Sequence, residues 1–248
     1  MSHLLCCCCF SHESNENERQ PLLQPTSSEP TKAESARQKP AHIDAQEQRR
    51  SGKLVMRRVC VSELDKRFSD VAETFNEQHD HYKTMVKHII NLRQNYGCNH
   101  DNTLLLYECV KKIREEHGAR YRVAVQMKGY DFSLFVVLLS PKGELEETLP
   151  PCLQLAQDEL KSVSLAAKAI ISVGTKLQEL IGWLLRSEEQ MAEQVKEAAP
   201  NYQEQQRLDE NLQESLKEVM RAKEMSLKYK QQAGEVLTEA AQMAGINL

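Results

Sequence analysis

The chain has few aromatic residues, few turn-forming residues and no long apolar segment. Only 5% of its 248 residues are aromatic, and it contains 9 glycines and 8 prolines. A sheet protein needs more turns than this, so the composition favours long helices with narrow apolar seams. The longest apolar runs, residues 132–139 and 180–185, are far shorter than the roughly 20 residues of a membrane-spanning helix. Any attachment to a membrane must therefore use another part of the chain.

The sequence also lacks the motifs of common catalytic and nucleic-acid-binding sites. It has no glycine-rich phosphate loop and no His-Glu-x-x-His pair, and its net charge is −4. His79 and His81 stand two residues apart, and on a helix such side chains diverge by about 200°, so they cannot share a metal ion. We therefore predict a protein that is not an enzyme, carries no cofactor or metal and binds no nucleic acid. A cryptic active site between helices is the alternative.

The most informative feature that is present is a run of four cysteines, Cys6, Cys7, Cys8 and Cys9. The surrounding chain is polar, and no core-forming segment lies close enough to bury these thiols. Exposed cysteines of this kind accept fatty acids as thioesters. Two or more acyl chains hold a protein stably on a membrane, whereas one holds it only marginally. The run therefore predicts an S-acylated membrane anchor in residues 1–10.

Two other uses of these cysteines have less support. A disulfide between neighbouring cysteines is strained, and a zinc site needs a second, spaced pair that the chain lacks. The other four cysteines, Cys60, Cys98, Cys109 and Cys152, are isolated from one another in the sequence and are predicted to be reduced thiols. Redox or metal chemistry at the cysteine run is thus a minor alternative to acylation.

A leucine pair follows the anchor. Glu18 lies four residues before Leu22 and five before Leu23, and Pro21 favours an extended backbone between them. Clathrin adaptor complexes bind acidic dileucine peptides of this kind, with a basic patch for the carboxylate and an apolar pocket for the leucines. We therefore predict a sorting signal in a segment held next to a membrane.

Residues 6–33 resemble the tail of a known membrane-anchored family. Residues 8–11 (Cys-Cys-Phe-Ser), 16–19 (Glu-Asn-Glu-Arg), 22–23 (Leu-Leu) and 26–33 (Thr-Ser-Ser-Glu-Pro-Thr-Lys-Ala) look like the N-terminal tail of the lipid-anchored subunit of the Ragulator complex. In that family the tail holds a scaffold on late endosomes and lysosomes. The resemblance implies the cytosolic face of those membranes here, with the Golgi and plasma membrane as alternatives. It departs at Ser2, where the family has a myristoylated glycine.

The composition of residues 11–57 predicts a disordered linker, because their few apolar groups cannot offset the entropy of ordering. A cluster of basic residues lies where this linker ends: Arg49, Arg50, Lys53, Arg57 and Arg58. Each basic residue beside an anionic leaflet adds about 1 kcal/mol of attraction. Contact with a membrane surface and a merely solvated basic linker are equally good interpretations of the cluster.

A heptad pattern begins shortly after this cluster. Between Leu64 and Tyr96 apolar residues recur at steps of four and three, and only Gln78 interrupts them. Such a seam predicts a long helix that packs along its whole length and ends at Gly97. Residues 62–65 (Ser-Glu-Leu-Asp) resemble a capping box at its start.

Further helices and one hairpin complete the predicted domain, residues 58–248. A short helix is expected through His117, and alternating apolar residues near 120–140 predict a β-hairpin. A helix with a wide apolar stripe should follow Pro150 and continue to about residue 198, and a last helix should follow Pro200. The predicted fold class is mainly all-α, a coiled-coil-like bundle of long helices with one short hairpin.

These features together predict a lipid-anchored, non-enzymatic scaffold or adaptor on the cytosolic face of late endosomes or lysosomes. The anchor would raise the local concentration of helical or coiled-coil proteins that the bundle binds. The alternative is a coiled-coil tethering or fusion-complex subunit in vesicle trafficking, in which the seams pair with partner helices. The periodicity itself is compatible with seams that close within one chain or between chains.

Overall fold

Most of the described chain is helical. The computed structural model describes residues 51–98, 105–139 and 149–246. The elements in chain order are α1 (Ser62–Asn95), α2 (Tyr107–His117), β1 (Tyr121–Lys128), β2 (Asp131–Leu138), α3 (Pro151–Arg186), α4 (Glu188–Ala198) and α5 (Tyr202–Met243). Helices account for 74% of the described residues, and the two strands form one antiparallel hairpin. The predicted fold class is confirmed.

The three longest helices form the centre of the domain. α3 packs against both α1 and α5, and the apolar seam of each helix faces the other two. Phe75 of α1, Ile170 of α3 and Val219 of α5 are each 0% exposed. Removing such side chains from water is the main favourable term in folding, at about 25 cal/mol per Å² of apolar surface. Among the described residues, the heptad seams therefore close within one chain.

The C-terminal end of α1 follows the prediction. Gly97 has a φ of +61°, a left-handed conformation in which glycine has no steric penalty. The N–H of Cys98 donates to the carbonyl of Arg93 at 2.8 Å, and the N–H of Gly97 donates to that of Gln94 at 3.3 Å. This pair of bonds is a Schellman motif, which satisfies carbonyls that the helix itself leaves unpaired.

The N-terminal end of α1 does not follow the prediction, because the capping box is absent. Val61 is the N-cap residue, and no side chain caps the helix. The Asp65 carboxylate instead accepts a hydrogen bond from the N–H of Val59, at 2.7 Å. Asp65 does not cap the helix because its carboxylate bonds to Val59 of the segment that precedes α1.

The long helix expected to reach residue 198 is divided in two. Ser187 lies between α3 and α4 with a φ of −107° and a ψ of 16°, outside the α-helical range. Beyond this break Met191 and Val195 are buried, and α4 contacts α5. The change of direction lets the apolar face of α4 cover the last helix.

The hairpin lies on the bundle through its inner face. Phe132 and Leu134 of β2 are each 3% exposed. The N–H of Phe132 donates to Ser164 Oγ at 2.8 Å, and Gln157 Nε2 donates to the carbonyl of Leu134 at 3.0 Å. Because a two-stranded hairpin is unstable alone, these contacts with α3 hold it in place.

Candidate functional site

Most of the residues predicted to meet membranes or adaptors lie outside the described residues. This holds for the predicted lipidation sites Cys6, Cys7, Cys8 and Cys9, for the sorting-signal residues Glu18, Leu22 and Leu23, and for Arg49 and Arg50. Their roles stay predictions. The remaining members of the basic cluster lie in the described part of the chain: Lys53, Arg57 and Arg58.

Residues 51–61, a turn followed by irregular backbone, lie between α1 and α5 and bond to both helices; we call this segment the strap. Leu54 and Val59 are 2% and 0% exposed and belong to the hydrophobic core. The linker predicted to run to residue 57 therefore overlaps the folded domain by several residues. Composition alone suggested a linker here because the segment is basic and polar apart from a few apolar side chains.

Polar side chains of both helices hold the backbone of the strap. Asn76 of α1 makes two bonds with Leu54: its Oδ1 accepts from the N–H at 2.8 Å, and its Nδ2 donates to the carbonyl at 3.2 Å. Ser215 of α5 accepts from the N–H of Arg57 at 3.1 Å, and Asn211 donates to the carbonyl of Arg58 at 2.8 Å. These bonds satisfy backbone groups that no neighbouring strand pairs, which is the requirement for burying such a segment.

Two of the three described basic side chains are already in ion pairs. Lys53 Nζ lies 2.8 Å from an Asp80 carboxylate oxygen, and Arg57 pairs with Glu214. Both pairs are largely exposed, so each stabilises the fold little. A membrane surface would have to compete with these carboxylates for Lys53 and Arg57. The proposed membrane contact of this cluster stays a prediction.

His79 lies at the centre of a buried polar cluster beneath the strap. Its side chain is 7% exposed, with Nδ1 2.8 Å from the Tyr229 hydroxyl and Nε2 3.0 Å from the carbonyl oxygen of Ser51. Because a carbonyl can only accept, Nε2 carries the proton and Nδ1 accepts from Tyr229. Burial lowers the pKa of His79, and the hydrogen bond to Ser51 opposes this effect only in part. Neutral His79 thus links the strap to α1 and α5.

We expect the domain to lose stability as the pH falls below about 6.5. The unfolded state binds a proton on His79 near its ordinary pKa of 6.5, whereas the folded state resists protonation until a lower pH. Between these values the unfolded state holds more protons, so the free energy of unfolding decreases as the pH falls, by at most about 1.4 kcal/mol per pH unit. Denaturant titrations of wild type and His79→Gln between about pH 7.5 and 5.5 measure this slope.

The variant His79→Gln should show a smaller pH dependence than the wild type. His81→Gln is the matched control, because His81 lies on the same helix with its side chain 37% exposed near Glu77. That control should keep the wild-type slope. An unchanged slope in His79→Gln would show that the buried imidazole does not couple proton binding to folding.

The two histidines considered as metal ligands occupy different environments, His79 in the core and His81 near Glu77 at the surface. Within residues 51–98, 105–139 and 149–246 no group of three or more His, Cys, Asp or Glu side chains is arranged to hold a metal ion. The sequence pattern raised His79 only as a possible metal ligand, which helix geometry argues against. Its contact with Tyr229 was not foreseeable, because the two residues are 150 positions apart.

The isolated cysteines also divide into two kinds. Cys98 and Cys109 are buried, and Cys60 and Cys152 are exposed. Burial, followed by the neighbouring thiol of Cys98, raises the pKa of Cys109 to about 12. Cys109 is therefore a protonated, unreactive thiol at neutral pH.

The outer face of the hairpin exposes apolar side chains that the bundle does not cover. Phe135 and Val137 of β2 are 41% and 42% exposed, and Leu139, just beyond β2, is 55% exposed. A groove of about 650 Å³ adjoins this hairpin. It is lined by residues of β1, β2 and α3, among them Phe132 and Leu165, and by residues beyond the end of α5. Large contiguous apolar patches mark surfaces at which proteins bind one another, so this face is a candidate for such a surface.

No protein-family model, curated protein or solved structure matches this chain. No helix within the described ranges is long and apolar enough to cross a membrane. The candidate sites must therefore be judged by their own chemistry and geometry.

Proposed function

We propose that the protein is a lipid-anchored, non-enzymatic helical scaffold that recruits partner proteins to the cytosolic face of late endosomes or lysosomes. The observation that carries this proposal is the run Cys6 to Cys9 at the start of a chain whose remaining part is rich in charge. Several acyl chains on neighbouring thiols supply the two or more that stable anchoring requires. The acidic dileucine signal, with Glu18, Leu22 and Leu23, is the proposed contact with a clathrin adaptor.

The helical domain supplies the recruiting surface in this proposal. The apolar seams of α1, α3 and α5 are occupied by one another, so they are not available to partner helices without unfolding. The outer face of the hairpin, with Phe135, Val137 and Leu139, is exposed and is the surface we assign to partner proteins. This arrangement favours a scaffold over the tethering or fusion-complex subunit, which would need open seams.

Serine substitution of the cysteine run tests the anchor. We expect the wild-type protein in cells to sediment with membranes and to release its acyl groups with neutral hydroxylamine, which cleaves thioesters. The variant with Cys6, Cys7, Cys8 and Cys9 all changed to serine should move to the soluble fraction, because no acyl chain remains to hold it. The matched control changes the exposed cysteines Cys60 and Cys152 to serine and should leave the protein on membranes.

The same cells can test the recruiting surface by proximity labelling. Phe135→Asp combined with Val137→Lys should reduce the set of labelled proteins while membrane association and folding are retained. Leu227→Asp, which changes an exposed leucine of α5, is the control. Free thiols at positions 6–9 in a soluble wild-type protein would refute the anchor, and an unchanged labelled set would refute the assignment of the hairpin.

A further inference from the structure

Three helix ends meet beside the thiol of Cys152. Cys152 is the second residue of α3, His117 is the last residue of α2, and Tyr96 directly follows α1. Cys152 Sγ lies 3.7 Å from His117 Nε2, within the hydrogen-bonding range of sulfur, and Cys152 is exposed. A nucleophile and a base are thus in contact, although 35 positions separate them in the sequence.

Tyr96 positions both members of this pair. Its hydroxyl donates to the backbone carbonyl of Cys152 at 3.2 Å, and its ring meets the His117 ring edge-on, with centroids 6.3 Å apart. Burial, with Cys152 and Glu116 nearby, raises the pKa of Tyr96 to about 12, so it stays a protonated donor. Lys112 Nζ donates to the backbone carbonyls of Tyr96 and Gly97, at 3.3 and 2.7 Å.

The two helix ends favour the charges that proton transfer between these groups creates. A thiolate at Cys152 lies at the N-terminal, positive end of the α3 dipole, and an imidazolium at His117 lies at the C-terminal, negative end of the α2 dipole. The first turn of α3 contains no acidic residue that would oppose a negative sulfur. The pair is therefore arranged for the sulfur to act as a nucleophile.

We propose that Cys152 is a thiol-modification site that forms a mixed disulfide with small disulfides of the glutathione class, with His117 as the base. His117 Nε2 accepts the thiol proton, and the sulfur attacks one sulfur atom of the small disulfide. The new S–S bond forms as the old one breaks, and the departing thiolate takes the proton from His117. The protein thiol is oxidised, half of the small disulfide is reduced to a thiol, and no further oxidant is required.

The other cysteines of the described chain each lack part of this arrangement. Cys98 and Cys109 are 4% and 0% exposed, so a disulfide in solution cannot reach them. Cys60 is exposed, but its charged neighbour is Arg207, whose guanidinium has no lone pair to accept a proton. Cys60 is therefore the internal control for Cys152: it is an exposed thiol whose charged neighbour cannot act as a base.

Glutathione disulfide is the probe for this proposal. Full-length protein is reduced, desalted and mixed with the probe, and mass spectrometry of its peptides follows each cysteine separately. At neutral pH we expect Cys152 to react about ten times faster in the wild type than in His117→Gln, because glutamine cannot accept the proton. Cys60 should react at the same rate in both proteins, and dithiothreitol should remove the adduct from Cys152.

The pH profile distinguishes a base from a merely structural histidine. The dependence of the Cys152 rate on pH should change in His117→Gln and should stay as in the wild type in the control His81→Gln. Equal rates at Cys152 in wild type and His117→Gln would overturn the proposal. So would an equal slowing of Cys60 and Cys152, because that result would indicate a general change in the fold.

Discussion

Replacing Gly174 by alanine is expected to destabilise the domain by about 2 kcal/mol, although alanine is the better helix former. Gly174 lies in the middle of α3, where a Cβ atom would stand 2.3 Å from Gln78 Nε2 and 2.8 Å from Lys230 Cδ. Both distances are far below van der Waals contact. Because Gln78 is 0% exposed, its side chain has little room to move away.

Gln78 and Gly174 together explain the one interruption of the α1 seam. Gln78 Nε2 donates to the carbonyl of Ile170 in α3 at 3.0 Å, and its Oε1 has no hydrogen-bond partner among the described residues. The amide can lie between the helices only because Gly174 has no side chain opposite it. A polar residue in the seam and a glycine in the facing helix are thus parts of one contact.

A double-mutant cycle measures this contact. Chemical denaturation of Gly174→Ala, Gln78→Ala and the double variant should give a combined loss smaller than the sum of the single losses, with a coupling of about 1–2 kcal/mol. Gly234→Ala is the matched control, because nothing lies within 4 Å of a Cβ at that position of α5. That control should gain about 0.5–1 kcal/mol. Strict additivity would show that Gln78 and Gly174 do not interfere.

Truncating Leu54 to alanine should destabilise the domain by about 3 kcal/mol and release the strap. Leu54 is 2% exposed and belongs to the hydrophobic core, and its N–H donates to Asn76 of α1. Leu165→Ala is the control, since Leu165 is 57% exposed on α3 and its loss should change stability by less than about 0.5 kcal/mol. The measurement is denaturant unfolding of both variants beside the wild type.

Hydrogen exchange then separates release of the strap from unfolding of the whole domain. The N–H groups of Leu54, Arg57 and Val59 donate to Asn76, Ser215 and Asp65, so they should exchange slowly in the wild type. In Leu54→Ala these amides should exchange faster than those of α3. Fast exchange of the same amides in the wild type would show that the strap is not held as the contacts indicate.

Much of the fold could be predicted because its signals are local or periodic. The heptad spacing identified α1, and Gly97 identified its end. Alternation of apolar residues identified the hairpin, because a sheet with one buried face requires a period of two. The prediction of a capping box was wrong because the motif describes a helix end in isolation. In the folded chain the Asp65 carboxylate bonds instead to the N–H of Val59 in the strap.

The sequence by itself determined the helical class, the hairpin and the prediction of an acylated tail, since each depends on residues close together in the chain. Only the tertiary structure decided that the seams close within one chain, that residues 51–61 belong to the folded domain and that Cys152 touches His117. These features join residues that are distant in the sequence, and no local pattern encodes such contacts. They arise when burial of the seams brings the ends and faces of separate helices together.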